Sequence, residues 1–453
     1  MNYMSSDRTS IPKRYTSRWN LLLTLLAIFL FAFGVIPFYL DIRLHENVGL
    51  NPQRLLVAGM FGLAALCMLG SKGAQKRISL SVHTNKKIYL VIAVYLLLRV
   101  ASFAANPSQY SFFILLNEVL MNFFILFYSA VFVDSVKKIK ILLFILIVSA
   151  LYVSIFGVVE GIISDNIFRA LANTATQTGE IAAQIKIRDG NYRIQSTFEH
   201  PLALSQYLII IIPLLVAMMS AKLWRGMALI MFLPLFLVAA YLTYARSVFV
   251  CLFIAVIIIS LSTVKLKYLS SISPSTRQVY YTMHKFTVFM GFIALLGAVL
   301  FLSSGGSATQ QSSTATRLVQ LNNGIMGVKE KPILGHGIGN AKKVIIGIGD
   351  TVSGSEAVWN ETIDSYYLAE ALDSGLPALF AFVSIFVIAS RVMYRISIDR
   401  TINKSIRGLA LAISASIAAG AASMSVLSIF TILPILFALI GFSISLNMLS
   451  KRN

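Results

Sequence analysis

Apolar stretches of about twenty residues, separated by short polar segments, make up most of this 453-residue chain. A helix needs about 20 mostly apolar residues to cross the hydrocarbon core of a bilayer. Twelve runs meet that length, near 20–40, 54–70, 88–105, 111–133, 141–163, 201–221, 226–244, 247–264, 286–303, 366–390, 408–425 and 428–449. The pattern predicts an all-α polytopic membrane protein with about 12 transmembrane helices, forming a single membrane domain over residues 1–453. The first run follows a basic arm, as a signal peptide would. Its apolar core is too long for one and no cleavage site follows it, so it is expected to be retained. Two polar segments stand out by length, 164–200 and 304–365. The second is predicted to be one large outer loop between helices 9 and 10, opening with the flexible tract "SSGGSATQQSSTATR".

Composition agrees with this reading. The chain is 57% hydrophobic and 12% charged, outside the range of soluble domains. Its net charge of +20 raises the question of a nucleic-acid partner, and the placement of that charge excludes one. With the N-terminus cytoplasmic, 25 of the 38 Lys and Arg residues fall on the inner side, in clusters such as "KGAQKR" and "KKIK". These mark topology. Of the 18 acids only Asp7, Asp134 and Asp399 lie there, so carboxylate chemistry belongs to the outer side. Cys67 and Cys251 sit inside apolar runs with no paired spacing and imply neither a disulfide nor a metal site.

Three outer features hold the chemically interesting side chains. In "YLTYARSVFV", Arg246 lies in a tight hairpin between two apolar runs, where its fork either holds a phosphate bidentately or snorkels to lipid headgroups. In "TATRLVQLNNGIMGVKEKPILGHGIGN", Arg317 precedes Leu318, Leu321 and Ile325, a spacing that suits a short amphipathic helix on the membrane. Lys329 and Lys331 follow, as an anion site or a solvated face. His336 reads as a turn residue between glycines, and the glycine spacing lacks the strand a nucleotide loop requires.

The third feature, "NETIDSYYLAEALDSGLPALF", sets Glu361, Asp364, Glu370 and Asp373 at the mouth of an apolar run. Glu361 and Asp364 share a helical face, while Glu370 and Asp373 lie on roughly the opposite side. Asp364 and Glu361 are the candidates for a base toward a hydroxyl. Glu370 and Asp373 are deeper and offer either a functional role or an ion pair with a neighbouring helix. Arg99 and Glu118 sit at similar depth on consecutive antiparallel spans, which predicts an ion pair; a structural bridge and a proton relay both remain open.

The segments "RIQSTFEHPLALSQYLIIIIPLL", "TYARS", "ATR" with "KPILGHGIGN", and "TIDSYYLAEALDSGLPALF" occur in the order found in the O-antigen ligase/polymerase superfamily. The chain resembles that superfamily over roughly residues 190–390. The resemblance implies a GT-C-type glycosyltransferase fold that uses no cofactor, metal or nucleotide sugar. It also implies an undecaprenyl-diphosphate-linked oligosaccharide as donor, at the outer (periplasmic) face of the bacterial inner membrane. By motif position Arg246, Arg317 and Arg193 hold the diphosphate, and Asp364 with Glu361 supplies the acid. Ligase-like members carry His-Asn where this chain has Asp364 and Ser365, a departure that favours polymerisation of repeat units over transfer to lipid A core. Membrane lipids and a separate chain-length regulator are the further partners implied. A lipid-linked oligosaccharide flippase remains the alternative from another class; repeated halves and broken helices near the midplane would mark it.

Overall fold

Each apolar run becomes a helix because lipid leaves backbone polar groups no other way to be satisfied. In the computed structural model, residues 13–45, 48–174, 177–220, 228–268, 308–353, 363–427 and 430–451 are described. They form α1 (Lys13–Val35), a short hairpin of β1 (Ile42–His45) and β2 (Val48–Leu50), α2 (Pro52–Gly70), α3 (Lys72–Thr84), α4 (Lys86–Ala105), α5 (Gln109–Phe132) and α6 (Val136–Ile163). Then come α7 (Gln177–Ala183), a second hairpin of β3 (Ile187–Arg188) and β4 (Asn191–Tyr192), α8 (Pro201–Ser220), α9 (Ala228–Leu242) and α10 (Ser247–Tyr268). The C-terminal part holds α11 (Ala308–Glu330), α12 (Ala341–Ser353), α13 (Tyr366–Ile398), α14 (Lys404–Ser423) and α15 (Leu433–Ser450). Side chains set several starts: Asn51, Ser71, Ser108, Ser135, Ser365 and Asn403 each accept a first-turn N–H, and Pro52 opens α2.

Among the described residues, eight helices are long and apolar enough to cross a membrane. Shorter apolar helices at Trp19–Val35, Met231–Leu242 and Ser247–Ser262 fall on three more of the predicted runs. The run near 286–303 lies outside the described residues. The protein is an all-α polytopic membrane protein. Its centre is α8, α14 and α15, with 89%, 72% and 89% of their spans buried, while α2 and α4 bury only 22% and 28% and turn apolar side chains outward. Between helices in lipid, close approach and packing replace the hydrophobic drive. The small-residue sequence of α14, "GLALAISASIAAGAAS", accordingly packs against α8, α10, α13 and α15. Ser390 of α13 and Ser414 of α14 face each other with Oγ atoms 3.1 Å apart.

Two segments differ from the sequence reading. The basic cluster "KGAQKR" lies within the additional helix α3, started by Ser71. The tract predicted to be flexible is helical from Ala308, because α11 closes on α12 and α13 through its small and polar side. Gly324 and Gly327 leave room for Leu368 and Leu372, whose atoms a Cβ at either position would meet. Gln320 and Asn323 are buried on that side, while Leu318, Leu321 and Ile325 remain exposed. The predicted amphipathic face exists, and no described part of the chain covers it.

Candidate functional site

The candidate acid stands at the start of α13. Ser365 caps that helix, its Oγ accepting from the Leu368 N–H at 3.4 Å, so Asp364 immediately precedes the cap. Its N–H donates to Gln320 Oε1 of α11 at 3.2 Å. One turn away on α11, Arg317 donates from Nε to Asp364 Oδ2 at 2.6 Å. Both side chains are partly open to solvent, 43% for Arg317 and 31% for Asp364. Glu361 lies outside the described residues.

A second set of cations comes from the segment ahead of α8. The turn Asp189–Gly190 between β3 and β4 has positive φ at both residues, 52° and 77°. Asp-Gly is the pair such a two-residue hairpin turn requires. The hairpin continues with the Arg193 N–H donating to Lys186 O at 2.9 Å. It presents two guanidinium groups to consecutive carbonyls of the turn between α9 and α10: Arg193 Nε donates to Thr243 O at 2.8 Å and Arg188 Nη1 to Tyr244 O at 3.4 Å. Arg246 follows two residues later, directly before the first residue of α10. Its carbonyl accepts from Phe249 N at 3.3 Å, so the "TYAR" turn is the start of a span, as predicted.

Electrostatics link the two sets. Burial lowers the Arg188 pKa; the guanidinium groups of Arg246 and Arg317 lower it further, and Asp189 and Asp364 oppose the shift. Burial, with a smaller contribution from Arg188, pushes Arg193 down to about 10, so it stays cationic at neutral pH. Its Nη2 is buried and has no hydrogen-bond partner among the described residues. The structure thus brings Arg193, Arg246, Arg317 and Asp364 into one neighbourhood, and adds Arg188, which sequence reasoning missed. The signal available for it was the Asp189–Gly190 hairpin turn that directly follows it.

A buried carboxylate holds this segment in place. Glu160, near the end of α6, accepts from Tyr192 Oη at 2.9 Å and Gln195 N at 3.1 Å through Oε1, and from Ser196 N at 2.5 Å through Oε2. Just beyond, burial raises the Glu199 pKa, with a hydrogen bond from Thr431 Oγ1 opposing. Burial, then Arg193 and Lys186, hold His200 down to about 3, so its ring is neutral at ordinary pH. His200 Nδ1 accepts from Leu202 N at 3.1 Å at the start of α8.

The two deeper carboxylates have structural partners. Arg99 of α4 donates to Glu118 Oε2 of α5 from Nη2 at 2.6 Å and from Nε at 3.0 Å, which is the predicted pair. Glu370 joins it, 3.4 Å from Arg99 Nη1, and the same nitrogen donates to Ser374 Oγ at 2.7 Å. Tyr95 donates to Glu118 Oε1 at 2.6 Å. Asp373 accepts from Gly339 N at 2.9 Å and Ala341 N at 2.8 Å, clamping the "GHGIGN" loop at the start of α12.

That loop fills a break in α13. Gly375 has φ 83° and ψ 172°, two residues before Pro377, and interrupts the helical ladder. The freed groups find partners in the loop: His336 N donates to Leu372 O at 2.7 Å, Gly337 N to Asp373 O at 3.1 Å, and Leu376 N to Pro332 O at 2.8 Å. A Cβ on Gly375 would collide with the Ile333 carbonyl, so only glycine fits. His336 is a turn residue as predicted, with Nε2 2.8 Å from Gly327 O. The break thus divides α13 into a half that follows Asp364 and carries Glu370 and Asp373, and a half that continues the span.

Among the described residues, no three of His, Cys, Asp and Glu converge as a metal site. Residues 202–383 match the family model described as O-antigen ligase. No curated protein matches the chain. The matched region contains Arg246, Arg317 and Asp364, together with the loop and the break in α13, while Arg188 and Arg193 lie ahead of its start at residue 202. The match over residues 202–383 supports the O-antigen ligase/polymerase superfamily for this part of the chain.

Proposed function

We propose that the protein is a polysaccharide polymerase of the inner membrane, transferring a nascent glycan from undecaprenyl diphosphate to a sugar hydroxyl of another lipid-linked repeat. The observation that carries this reading is the 2.6 Å contact between Arg317 and Asp364, which sets the candidate acid against one of the candidate diphosphate ligands. In the reaction the bond from the anomeric carbon to the diphosphate oxygen breaks and a bond to the acceptor oxygen forms. The acceptor proton goes to Asp364, and undecaprenyl diphosphate leaves with the bonding electron pair. Charge grows on the leaving oxygen, and guanidinium groups fixed around it stabilise that charge. Arg317, Arg246 and Arg193 take this role.

The same contact supplies an order of events. Arg317 cannot give its full fork to a diphosphate while it holds Asp364. Donor binding draws Arg317 away and frees the carboxylate for the acceptor hydroxyl. An acid that is free only when donor is present protects the donor from adventitious attack.

What favours polymerase over ligase is the Asp364–Ser365 pair in place of the His-Asn of ligase-like members; Ser365 itself caps the helix, its Oγ engaged to Leu368 N. The test is purified protein in liposomes with lipid-linked repeat units and no other acceptor, the glycan sized on a gel. A ladder is expected from the wild type and none from Asp364→Ala. Elongation that requires added lipid A core makes the protein a ligase, and normal ladders from Asp364→Ala remove the acid.

A further inference from the structure

We propose that Arg188 is a further ligand of the lipid diphosphate, delivered by the Asp189–Gly190 hairpin and acting beside Arg193, Arg246 and Arg317. The inference rests on the diphosphate reading above and extends it to a residue that lies outside the matched family region and that no motif assigns.

Three observations carry it. First, Arg188 is held rather than trailing: the hairpin turn fixes its backbone, β3 pairs with β4 through Arg188 and Asn191, and its Nη1 reaches Tyr244 O at 3.4 Å. That contact uses one of five donors, at long range, and leaves the rest of the fork for another acceptor. Second, it is half-buried in the field of two other guanidinium groups, those of Arg246 and Arg317. Gathering like charges away from water is unfavourable unless an anion completes the site. Among the described residues, the four guanidinium groups of Arg188, Arg193, Arg246 and Arg317 exceed the two carboxylates that act on Arg188, those of Asp189 and Asp364, by two charges. A diphosphate ester carries about that charge with opposite sign. Third, the neighbouring Arg193 has a buried Nη2 without a hydrogen-bond partner among the described residues, so the pair of hairpin arginines has unused donor capacity.

A purely structural Arg188 makes a different prediction from a ligand-binding one. If its task were to hold the 243–244 turn, its removal would loosen the protein. If its task is to bind an anion, its removal relieves repulsion in the empty site and weakens the complex, the trade between stability and function expected at a binding site. Arg188→Gln separates the two, because it removes the charge and keeps a polar side chain beside the turn.

The experiment measures binding of undecaprenyl diphosphate and undecaprenyl phosphate to the full-length protein in nanodiscs, at two salt concentrations, alongside the unfolding midpoint of the ligand-free protein. For Arg188→Gln we expect at least tenfold weaker binding of the diphosphate, a smaller loss for the monophosphate, a shallower salt dependence, and a ligand-free midpoint equal to or above that of the wild type. Unchanged diphosphate affinity overturns the assignment, and so does an affinity loss matched by a lower ligand-free midpoint. A wild-type protein that binds neither lipid overturns the diphosphate reading itself and this inference with it. Wild-type binding with no polymerisation leaves Arg188 tested on affinity alone and shifts the fault to the reaction assigned.

Discussion

Arg317→Gln should separate stability from activity, because the two depend on that side chain in different environments. In the free protein Arg317 serves one carboxylate at 2.6 Å, with 43% and 31% of the two side chains exposed. Solvent screens a pair of that kind, and exposed pairs contribute about 0.2–1 kcal/mol. Exposure also means that no buried charge is stranded when the partner goes. The loss of folding stability should therefore stay below about 1 kcal/mol. During reaction the same group faces charge growing on a departing diphosphate with water displaced, where losing one fixed donor costs about 2.7–4 kcal/mol, or 10²- to 10³-fold in rate. Arg317→Lys should recover part of this, since it restores the charge without the bidentate fork. The assay follows repeat-unit consumption in liposomes at matched protein amounts, with unfolding of the same samples in parallel. A rate within threefold of wild type refutes the proposed role. So does a destabilisation above about 2 kcal/mol, which would make Arg317 a folding residue and the rate loss secondary.

Three further perturbations probe the frame around the site. Arg99→Leu strands Glu118 and Glu370 in the membrane interior and should cost about 3–5 kcal/mol in an SDS unfolding titration, with much of the loss recovered when both acids are also changed to Gln; equal stability of the single variant would mean that the triad is not closed as described. Gly375→Ala puts a side chain at φ 83° against the Ile333 carbonyl and should destabilise by more than about 1–3 kcal/mol, read as increased proteolysis at the 332–340 loop; an unaffected variant would deny the docking of that loop. His200 has a folded pKa of about 3, below the ordinary 6.5, so stability is fully present above about pH 6.5 and declines as the unfolded chain takes up its proton first. Between about pH 6.5 and 3 this group alone should contribute a slope of about 1.4 kcal/mol per pH unit, absent from His200→Gln, and parallel curves for the two proteins would contradict it.

The spans and the Arg99–Glu118 pair were legible because the bilayer imposes them: length fixes each helix, and depth on adjacent helices fixes which ionisable groups can meet. Glu370 as a third member was not, since pairing α4 with α13 depends on helix order in the bundle, which no local pattern encodes. The same holds for Asp364 against Arg317, which lie 47 residues apart and meet only because α11 packs on α13. The Ser, Thr and Gln tract before Arg317 read as flexible on composition. Tertiary packing overrode propensity there, with Gly324 and Gly327 giving α13 its seat. Arg188 carried no signal of its own, because a surface arginine becomes notable only when the field around it is known.

The loop that seals the broken helix has a consequence for protein engineering. Residues 332–340 and the break at Gly375 share hydrogen bonds in both directions, so neither half is satisfied without the other. Chimeras that exchange the loop alone between homologues will leave open carbonyls in a membrane helix. The exchangeable module is the loop together with residues 365–377.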